Sequence, residues 1–469
     1  MPKPIVLLEF NELCPDLMGQ FIEEGHLPNF KKLRDSSAIF TTEAKERAPY
    51  LEPWIQWINV HTGVPFSEHH IEHLGESEKC TVPAIWDLAS EAGLKVWICG
   101  SMNVHCTSKV KGDLLPDPWT PESYTRPAEL LTYNRFVRKQ VQEHSNTSVK
   151  FEKSDYIKFL SFMMKHGLSS HTIKTAIAQL RSERKNGKRW RRAFILDLLQ
   201  YDVFAHLYKK ESPDLATFFL NSTAHMQHCY WRNMQPEVFT IKPTAKEQEQ
   251  YSSAILEGYI HMDKLIERVL KLAGPNATIV FATAISQQPY LKFEDKGGKR
   301  IYRPKDIPAF ASWAGIKNLK ASNPVMAEQF WLEFNTNDEV NAAADLLDAI
   351  TVDGEKAFKV IREETALFTG FNIRHEISPN AVMTNAATGV SAKFFDIFYP
   401  IEGLKSGMHH QDGLLWIRNP RISKSSNPRV AVESIAPTIL DLLDVEIPSH
   451  LKDPSLLKAM VAEPDLVAV

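Results

Sequence analysis

Short, almost wholly apolar runs recur along the chain between segments with helical periodicity. The run PIVLLEF at residues 4–10 is typical of a strand buried on both faces of a parallel sheet. Similar runs predict strands at 94–100, 214–222, 277–283 and 413–419. Segments such as ILEGYIHMDKLIERVLKLAG, with apolar residues three or four apart, predict amphipathic helices between the strands. This alternation predicts an α/β fold with a mostly parallel central sheet and helices on both faces.

Two blocks interrupt the alternation. The first is helix-like and basic and contains RSERKNGKRWRR at 181–192, and the second has a strand, helix, strand pattern. A basic run of this kind is typical of a solvated helix face, but its Arg side chains would bind phosphate if it faced a crevice. The predicted domains are a core of 1–124, 214–322 and 377–469, a helical cap insertion at 125–213, and a small α/β lid insertion at 323–376.

Composition narrows the class of protein. The chain has 469 residues, of which 43% are hydrophobic and 24% charged, as expected of a globular protein with a substantial core. A net charge of −3 argues against a nucleic-acid partner. The chain has no run of about 18 apolar residues, which predicts no membrane span. The N-terminal apolar run is too short for a secretory signal, and the five cysteines are scattered without a CxxC pair, so we expect a cytoplasmic protein.

Five segments carry recognisable motifs in a consistent order. They are GHLPNFKKL at 25–33, PWIQWINVHTGVPFSEHHI at 53–71, DLATFFLNSTAHMQHCYW at 214–231, SGMHHQDGLLWI at 406–417 and VESIAPTILDLLDVEIPSHLKDPSLL at 432–457. Together they resemble the alkaline phosphatase superfamily, in particular its type I phosphodiesterase/nucleotide pyrophosphatase branch. The resemblance implies an alkaline phosphatase-like fold, and two divalent metals, usually zinc, held by Asp and His at the carboxyl ends of the strands. It also implies a Thr or Ser nucleophile bound to one metal.

The nucleophile position of this family falls on Pro53, which has no nucleophilic atom. The neighbouring Glu52 is the one candidate, either as a covalent nucleophile or as an added metal ligand. The alternative is that Glu52 is a solvated loop residue.

The ligand positions are also altered. Where the family has a metal-binding Asp after the first strand, this chain offers Glu9, Asn11 and Glu12, with Asn11 nearest in spacing. Glu9 lies in an apolar strand, so it needs either a metal or a salt-bridge partner. The third strand is followed by His225 and His228 without the family's carboxylate, and both are candidate ligands or acid–base groups.

The Asp–His pair expected after the fourth strand is replaced by Ser286, Gln287 and Gln288, which removes half of the second metal site. His409 or its neighbour His410 occupies the late metal-histidine position. The resulting assignments are catalytic roles for Glu52, His225 and Gln287, metal ligation by Glu9, Asn11, His228 and His409, and substrate binding by Trp54, His69, Asn221, Gln288 and His410. We expect one divalent metal, zinc or manganese, and the resemblance does not carry over a second.

Three hypotheses for function follow. The first is a divergent metal-assisted phosphoester hydrolase or phosphoryl-type transferase that acts on a nucleotide- or glycan-linked phosphate, and the altered but still polar site favours it. The second is a metal-independent group-transfer or sugar-processing enzyme in polysaccharide assembly that uses the same crevice. The third is a non-catalytic binding protein on this fold.

Overall fold

The computed structural model describes residues 4–145, 151–325, 328–401, 403–419 and 428–457. Its strands, in chain order, are β1 (Ile5–Phe10), β2 (Ala38–Glu43), β3 (Val96–Cys99), β4 (Gly112–Leu115), β5 (Leu215–Leu220), β6 (Thr278–Ala282), β7 (Ser286–Pro289), β8 (Tyr302–Pro304), β9 (Ala321–Pro324), β10 (Gln329–Glu333), β11 (Ile350–Val352), β12 (Glu355–Lys356), β13 (Phe358–Arg362), β14 (Ala366–Phe371), β15 (Val382–Asn385), β16 (Ser391–Lys393), β17 (Phe398–Pro400), β18 (Gly407–His410), β19 (Asp412–Arg418) and β20 (Arg429–Ala431).

The α-helices of the described residues, in chain order, are α1 (Pro15–Glu23), α2 (Pro28–Asp35), α3 (Pro53–Thr62), α4 (Phe66–His69), α5 (Ile85–Glu91), α6 (Leu131–Ser145), α7 (Lys153–Lys165), α8 (Ser170–Asn186), α9 (Arg192–Glu211), α10 (Ser222–Met234), α11 (Ala245–Tyr251), α12 (Ala254–Ala273), α13 (Ile307–Trp313), α14 (Asn337–Asp348), α15 (Phe394–Ile397) and α16 (Ile435–Leu442). None of these helices is long and apolar enough to cross a membrane.

Eight strands form the central sheet, in the order β20–β2–β19–β6–β1–β5–β3–β4. Their pairings are parallel except that β19 runs antiparallel to both β2 and β6. The predicted mostly parallel sheet is therefore confirmed, with the five predicted strands present as β1, β3, β5, β6 and β19. β2 was not predicted because it lies near the sheet edge and alternates buried with half-buried residues, so it has no continuous apolar run.

Helices cover both faces of the sheet, and the alternation of side chains along β1 separates two cores. Val6, Leu8 and Phe10 pack with α1, α2, α9 and α12 on one face. Ile5 and Leu7 point to the opposite face, where α3, α5 and α16 pack. A strand with apolar residues on both faces is what a parallel sheet covered on both sides requires.

The two interrupting blocks differ in how they are attached. Within 125–213, α9 packs on β3 and β5 and contributes to the first core, and Phe159, Phe162 and Met163 of α7 belong to the same core. Most buried apolar side chains of the second block belong to a separate third core, whose buried residues run from Tyr302 to Phe398, whereas Val325 and Phe368 pack in the second core. The division into core, cap and lid stays a prediction.

Candidate metal centre

The centre of the site is the buried carboxylate of Glu12, two residues beyond the end of β1. The N–H of Asn11 donates to Leu220 O at 2.9 Å, and the N–H of Glu12 donates to Thr283 O at 3.3 Å. These bonds hold the turn between the carboxyl ends of β5 and β6. Glu12 itself has a φ of +59°, a left-handed conformation that is uncommon outside glycine. The turn thus places a carboxylate at the sheet edge where open α/β sheets bind ligands.

Two imidazoles approach the same oxygen of Glu12. Nε2 of His228, on α10, lies 3.2 Å from Glu12 Oε2, and Nε2 of His409, on β18, lies 3.6 Å from it. Nδ1 of His228 is 3.0 Å from Gly407 O. Because a carbonyl oxygen only accepts, Nδ1 is the donor in this bond, and Nε2 is the ring nitrogen that faces the cluster. A backbone carbonyl behind the outer nitrogen is the usual arrangement for a metal-binding histidine.

Amide side chains hold the carboxylate from the other sides. Nδ2 of Asn11 donates to Glu12 Oε1 at 2.8 Å and to Asn221 Oδ1 at 2.7 Å, and Nε2 of Gln287 donates to Glu12 Oε2 at 2.5 Å. Trp57 Nε1 donates to Asn11 Oδ1 at 2.7 Å. With its oxygen and nitrogen both engaged, Asn11 acts here as a donor that orients Glu12.

Charge in the cluster favours metal-binding forms of the side chains. Burial acts to raise the pKa of Glu12, but His409, His228 and the Gln287 amide stabilise the carboxylate and hold the pKa below its ordinary value. Burial lowers the pKa of His409 to about 4. The cluster therefore offers an ionised carboxylate and a neutral His409 at neutral pH, which are the forms that coordinate metals.

The donor set fits one transition-metal ion. One ligand atom from each of Glu12, His228 and His409 lies within 4.8 Å of the others, and among the described residues this is the group of His, Cys, Asp and Glu side chains with that geometry. Two imidazoles and a carboxylate are the ligand types of catalytic zinc sites that keep a position open.

Glu52 stands beside this group. It is the N-cap residue of α3, and its Oε2 lies 3.5 Å from His409 Nδ1. Burial raises the pKa of Glu52 to about 8, with Lys299 and Arg374 opposing the shift. Lys299 Nζ lies 3.2 Å from Met408 Sδ, and its charge acts on both Glu52 and His409, so a cation borders the site.

The structure thus brings together six of the predicted site residues around Glu12, which was not among the assigned ligands. The six are Asn11, Glu52, Asn221, His228, Gln287 and His409. The signal for Glu12 was its position just after the first strand, but the spacing argument favoured Asn11 and did not foresee the left-handed turn that reverses the side chain.

Glu9 lies elsewhere, which corrects its assignment as a ligand. Its carboxylate is 2.7 Å from His61 Nε2 and accepts a bond from Ser101 Oγ at 2.6 Å, with both the Glu9 and His61 side chains fully buried. Glu9 follows Ile5 and Leu7 on the strand face away from Glu12, because successive residues of a strand point to opposite faces. Of the two alternatives that the sequence left open for Glu9, a metal or a salt-bridge partner, the structure shows the salt-bridge partner, His61.

The other assigned residues have contacts outside the Glu12 group. His225 lies one turn before His228, and its Nε2 is 3.9 Å from Cys229 Sγ. Trp54 Nε1 donates to Glu72 O at 2.9 Å. Buried His69 is 2.8 Å from Asn59 Oδ1, and burial lowers its pKa to about 3. The catalytic role assigned to His225 and the substrate-binding roles assigned to Trp54 and His69 stay predictions.

Gln288 and His410 alternate with Gln287 and His409 on the paired strands β7 and β18. Gln288 Nε2 donates to His409 O at 3.2 Å from an exposed position, and His410 Nδ1 accepts from the N–H of Asp412 at 3.2 Å. Strand alternation therefore places Gln287 and His409 at the cluster and directs Gln288 and His410 away from it.

Comparison with known proteins gave similarities of fold. Neither a protein-family model nor a curated protein sequence matches the chain. Human ectonucleotide pyrophosphatase/phosphodiesterase 5 is similar in structure with 9% identity and a TM-score of 0.44, over 98% of this chain and 100% of the other. Phosphonoacetate hydrolase from Sinorhizobium meliloti, in complex with phosphonoacetate, has 10% identity and a TM-score of 0.43, over 95% and 96%. The alkaline phosphatase PafA has 12% identity and a TM-score of 0.47, over 98% and 99%. At these TM-scores the likenesses assign neither an activity nor a ligand to this chain.

Proposed function

We propose that the chain is a metal-assisted phosphoester hydrolase or phosphoryl-type transferase with a reduced site for one divalent metal, zinc or manganese. The observation that carries the proposal is the convergence of Glu12, His228 and His409 within 4.8 Å of one another. The cluster lies at the carboxyl ends of the central strands and beside the N-cap residue of α3. Two of the three segments that supply it, 214–231 and 406–417, carry motifs that resemble the phosphodiesterase branch.

Each group at the site has a role in this proposal. The metal, when bound, would polarise a phosphoryl oxygen and lower the pKa of a coordinated water. Asn11 and Gln287 hold the Glu12 carboxylate in place through their amide hydrogens. Because its pKa is raised to about 8, Glu52 is mostly protonated at neutral pH and is positioned to donate a proton from its carboxyl oxygen. It would attack as a carboxylate nucleophile only after losing that proton. The N-terminus of α3 adds positive potential where negative charge would develop.

The surrounding charges favour an anionic substrate. Lys299 lies beside β18, and Arg374 pairs with buried Glu328 near Glu52. The ring of Tyr290 lies 5.0 Å from the Lys299 ammonium. Cations attract a phosphate, and an aromatic ring next to them can stack on a base or a sugar face. A nucleotide- or glycan-linked phosphate is therefore the substrate class that we propose.

Elemental analysis of protein purified without added metal or a chelating tag tests the proposal first, paired with turnover of bis(p-nitrophenyl) phosphate with and without EDTA. We expect about one metal per chain and turnover that EDTA abolishes. His228→Ala should lose both, whereas His26→Ala, a matched change at an exposed histidine 41% accessible, should lose neither. Metal-free protein with full turnover would refute the metal-assisted mechanism.

A second candidate rests on the Glu52–His409 pair. A carboxylate 3.5 Å from an imidazole can carry out acid–base chemistry without a metal, as a group-transfer or sugar-processing enzyme requires. Turnover that resists EDTA but is abolished by Glu52→Gln would support this candidate over the first. Ligand binding without turnover in either assay would instead favour a binding protein.

A further inference from the structure

The outer faces of α7 and α8 have an unusual distribution of polarity. In the described chain, seven of the twelve exposed large hydrophobic side chains lie on these two helices. The seven are Tyr156, Ile157, Leu160 and Met164 on α7 and Ile173, Ile177 and Leu180 on α8, with accessibilities from 43% to 72%. Single exposed apolar residues are ordinary, but a concentration of this kind marks an interaction site.

The pattern on α8 is inverted with respect to a normal surface helix. Its buried side chains are the polar Thr172 and Gln179, whereas Ile173, Ile177 and Leu180 face outward. Ile173, Ile177 and Leu180 have the i, i+4, i+7 spacing that places side chains on one face of a helix. A helix that presents its apolar stripe away from the protein interior gains nothing from that stripe within this chain. The stripe is therefore suited to contact something outside it.

α7 has an exposed apolar stripe as well, in addition to an apolar face that is buried in the usual way. Phe159, Phe162 and Met163 are buried in the first core. Ile157, Leu160 and Met164 occupy the opposite side, again at i, i+3, i+7 spacing, and Met164 is 72% accessible. α7 is thus apolar on two sides, one of which stays exposed among the residues that the structure describes.

The charges that border these stripes are mostly positive, with half-buried Asp155 paired to Lys139 at the start of α7. The exposed residues within α7 and α8 include seven Lys and Arg and no Asp or Glu: Lys153, Lys158, Lys165, Lys174, Arg181, Arg184 and Lys185. Glu183, the acidic residue within α8, is turned inward and paired with Arg192. Residues 151–192 as a whole contain eleven Lys and Arg against three Asp and Glu, in a chain whose net charge is −3.

We infer that the outer faces of α7 and α8 form a docking surface for an anionic lipid membrane, on which the protein lies without crossing it. Apolar side chains at helical spacing, flanked by Lys and Arg, are the features by which helices bind in the plane of a membrane interface. The lack of exposed acidic residues in the two helices favours a partner with uniform negative charge over a protein of mixed charge. This inference is independent of the proposed metal chemistry.

Vesicle co-sedimentation of the full chain tests the inference. Vesicles of phosphatidylcholine alone are compared with vesicles that also contain phosphatidylglycerol, each at low and at high salt. We expect binding to the anionic vesicles to be at least about tenfold stronger than to the neutral ones, and to weaken at high salt because the Debye length shortens. Equal binding to both vesicles, or no binding to either, would overturn the inference.

Two sets of variants separate the apolar and the charged contributions. The apolar set is Ile173→Gln, Ile177→Gln and Leu180→Gln combined, and the charge set is Arg181→Glu, Arg184→Glu and Lys185→Glu combined. Each should reduce binding to anionic vesicles about tenfold or more. The altered residues are exposed, so the thermal midpoint should stay near that of the wild type, and this is measured for each variant.

Matched controls are Val382→Gln and Lys317→Glu, which change an exposed apolar and an exposed basic residue of the third-core region. Both should bind vesicles like the wild type. Loss of binding in the controls as well would overturn the assignment to α7 and α8. Sedimentation equilibrium showing a dimer that the apolar set abolishes, without vesicle binding, would assign the surface to a second copy and also overturn the inference.

Discussion

Glu12 and Glu9 are two buried glutamates three residues apart with different partners, and this difference can be tested. Glu12→Gln removes the charged ligand between His228 and His409, so the metal content should fall to less than about a tenth of the wild-type value. Glu9→Gln should keep the metal, because Glu9 binds His61 and Ser101 on the other face of β1. It should lower the free energy of unfolding by about 1–3 kcal/mol, since it disturbs a buried hydrogen-bonded pair.

Elemental analysis and urea unfolding of the two variants provide the measurements. The converse result, with metal lost in Glu9→Gln and kept in Glu12→Gln, would contradict the arrangement described above.

Glu433 predicts a pH dependence of stability away from the metal centre. Burial raises its pKa to about 7, Glu46 and Asp453 act in the same direction, and Lys45 opposes them. Because the folded state binds this proton more tightly than the unfolded state, the stabilisation is complete below about pH 4.5 and is lost as the pH rises through 7. Glu433→Gln should therefore be more stable than the wild type above pH 8, by about 1–3 kcal/mol, and similar to it near pH 5.

Urea unfolding between pH 5 and pH 9 measures this difference, with Glu23→Gln, a change at an exposed position, as the control that should follow the wild type. A constant difference between Glu433→Gln and the wild type at all pH values would show that the carboxyl does not titrate as stated.

For individual residues, the sequence identified the residue types of the site better than the orientations of their side chains. His228, His409 and Gln287 were assigned from motif register, and the structure places all three at Glu12. Which face of β1 a glutamate takes could not be read from a strand that is apolar on both faces. The turn at Glu12 depends on a left-handed backbone conformation, and the sequence has no glycine at this position that would have indicated it.

The two-stranded sheet of β7 and β18 positions His409, and its close packing on α10 requires Gly407. A Cβ at this position would clash with Gln227 O of α10 and lie 2.6 Å from Gln287 Oε1. Gly407→Ala should therefore displace β18, lower the free energy of unfolding by about 1–3 kcal/mol and weaken metal binding.

Gly403→Ala is the matched control, because a Cβ there meets nothing within 4 Å. Thermal unfolding and metal content compare the two variants. Equal behaviour would mean that β18 moves without cost and that Gly407 does not hold the site in place.

Strands and helices whose apolar residues follow one clear period could be predicted from the sequence. Elements whose conformation depends on packing against other parts of the chain could not. The buried strands β1, β5 and β6 and the helix α12 were found because their apolar residues follow one period over their whole length. The histidines His225 and His228 were expected at a strand end, but they lie on α10, which begins at Ser222. On a helix, a separation of three residues moves a side chain one turn along the axis, and His228 is the one whose Nε2 reaches Glu12.

For the whole molecule, the segment between the sheet and the third core brings positive charge to the metal centre. Lys299 lies on the connection from β7 to β8, and burial lowers its pKa. If the substrate is an anionic phosphoester, Lys299→Met should raise KM about tenfold with a smaller effect on kcat, because the length of the side chain is kept and its charge removed.

Steady-state kinetics at fixed pH test this prediction, with Lys296→Met, a change at an exposed lysine of the same connection, as the control that should leave KM unchanged. An unchanged KM in Lys299→Met would show that this cation does not contact the substrate.

The three candidate ligands come from parts of the chain that are far apart in sequence: the turn after the first strand, a helix in the middle and the strand β18 near the end. A bound ion would therefore act as a reversible cross-link between them, and an unfolded chain could not reproduce it. The thermal midpoint should then rise with the concentration of free metal, with a gain of about 2.7 kcal/mol at a hundred times the dissociation constant. Differential scanning calorimetry in a series of buffered metal concentrations would thus measure the occupancy of the metal site without any substrate. A preparation exposed to chelator would have a lower melting temperature although its sequence is unchanged.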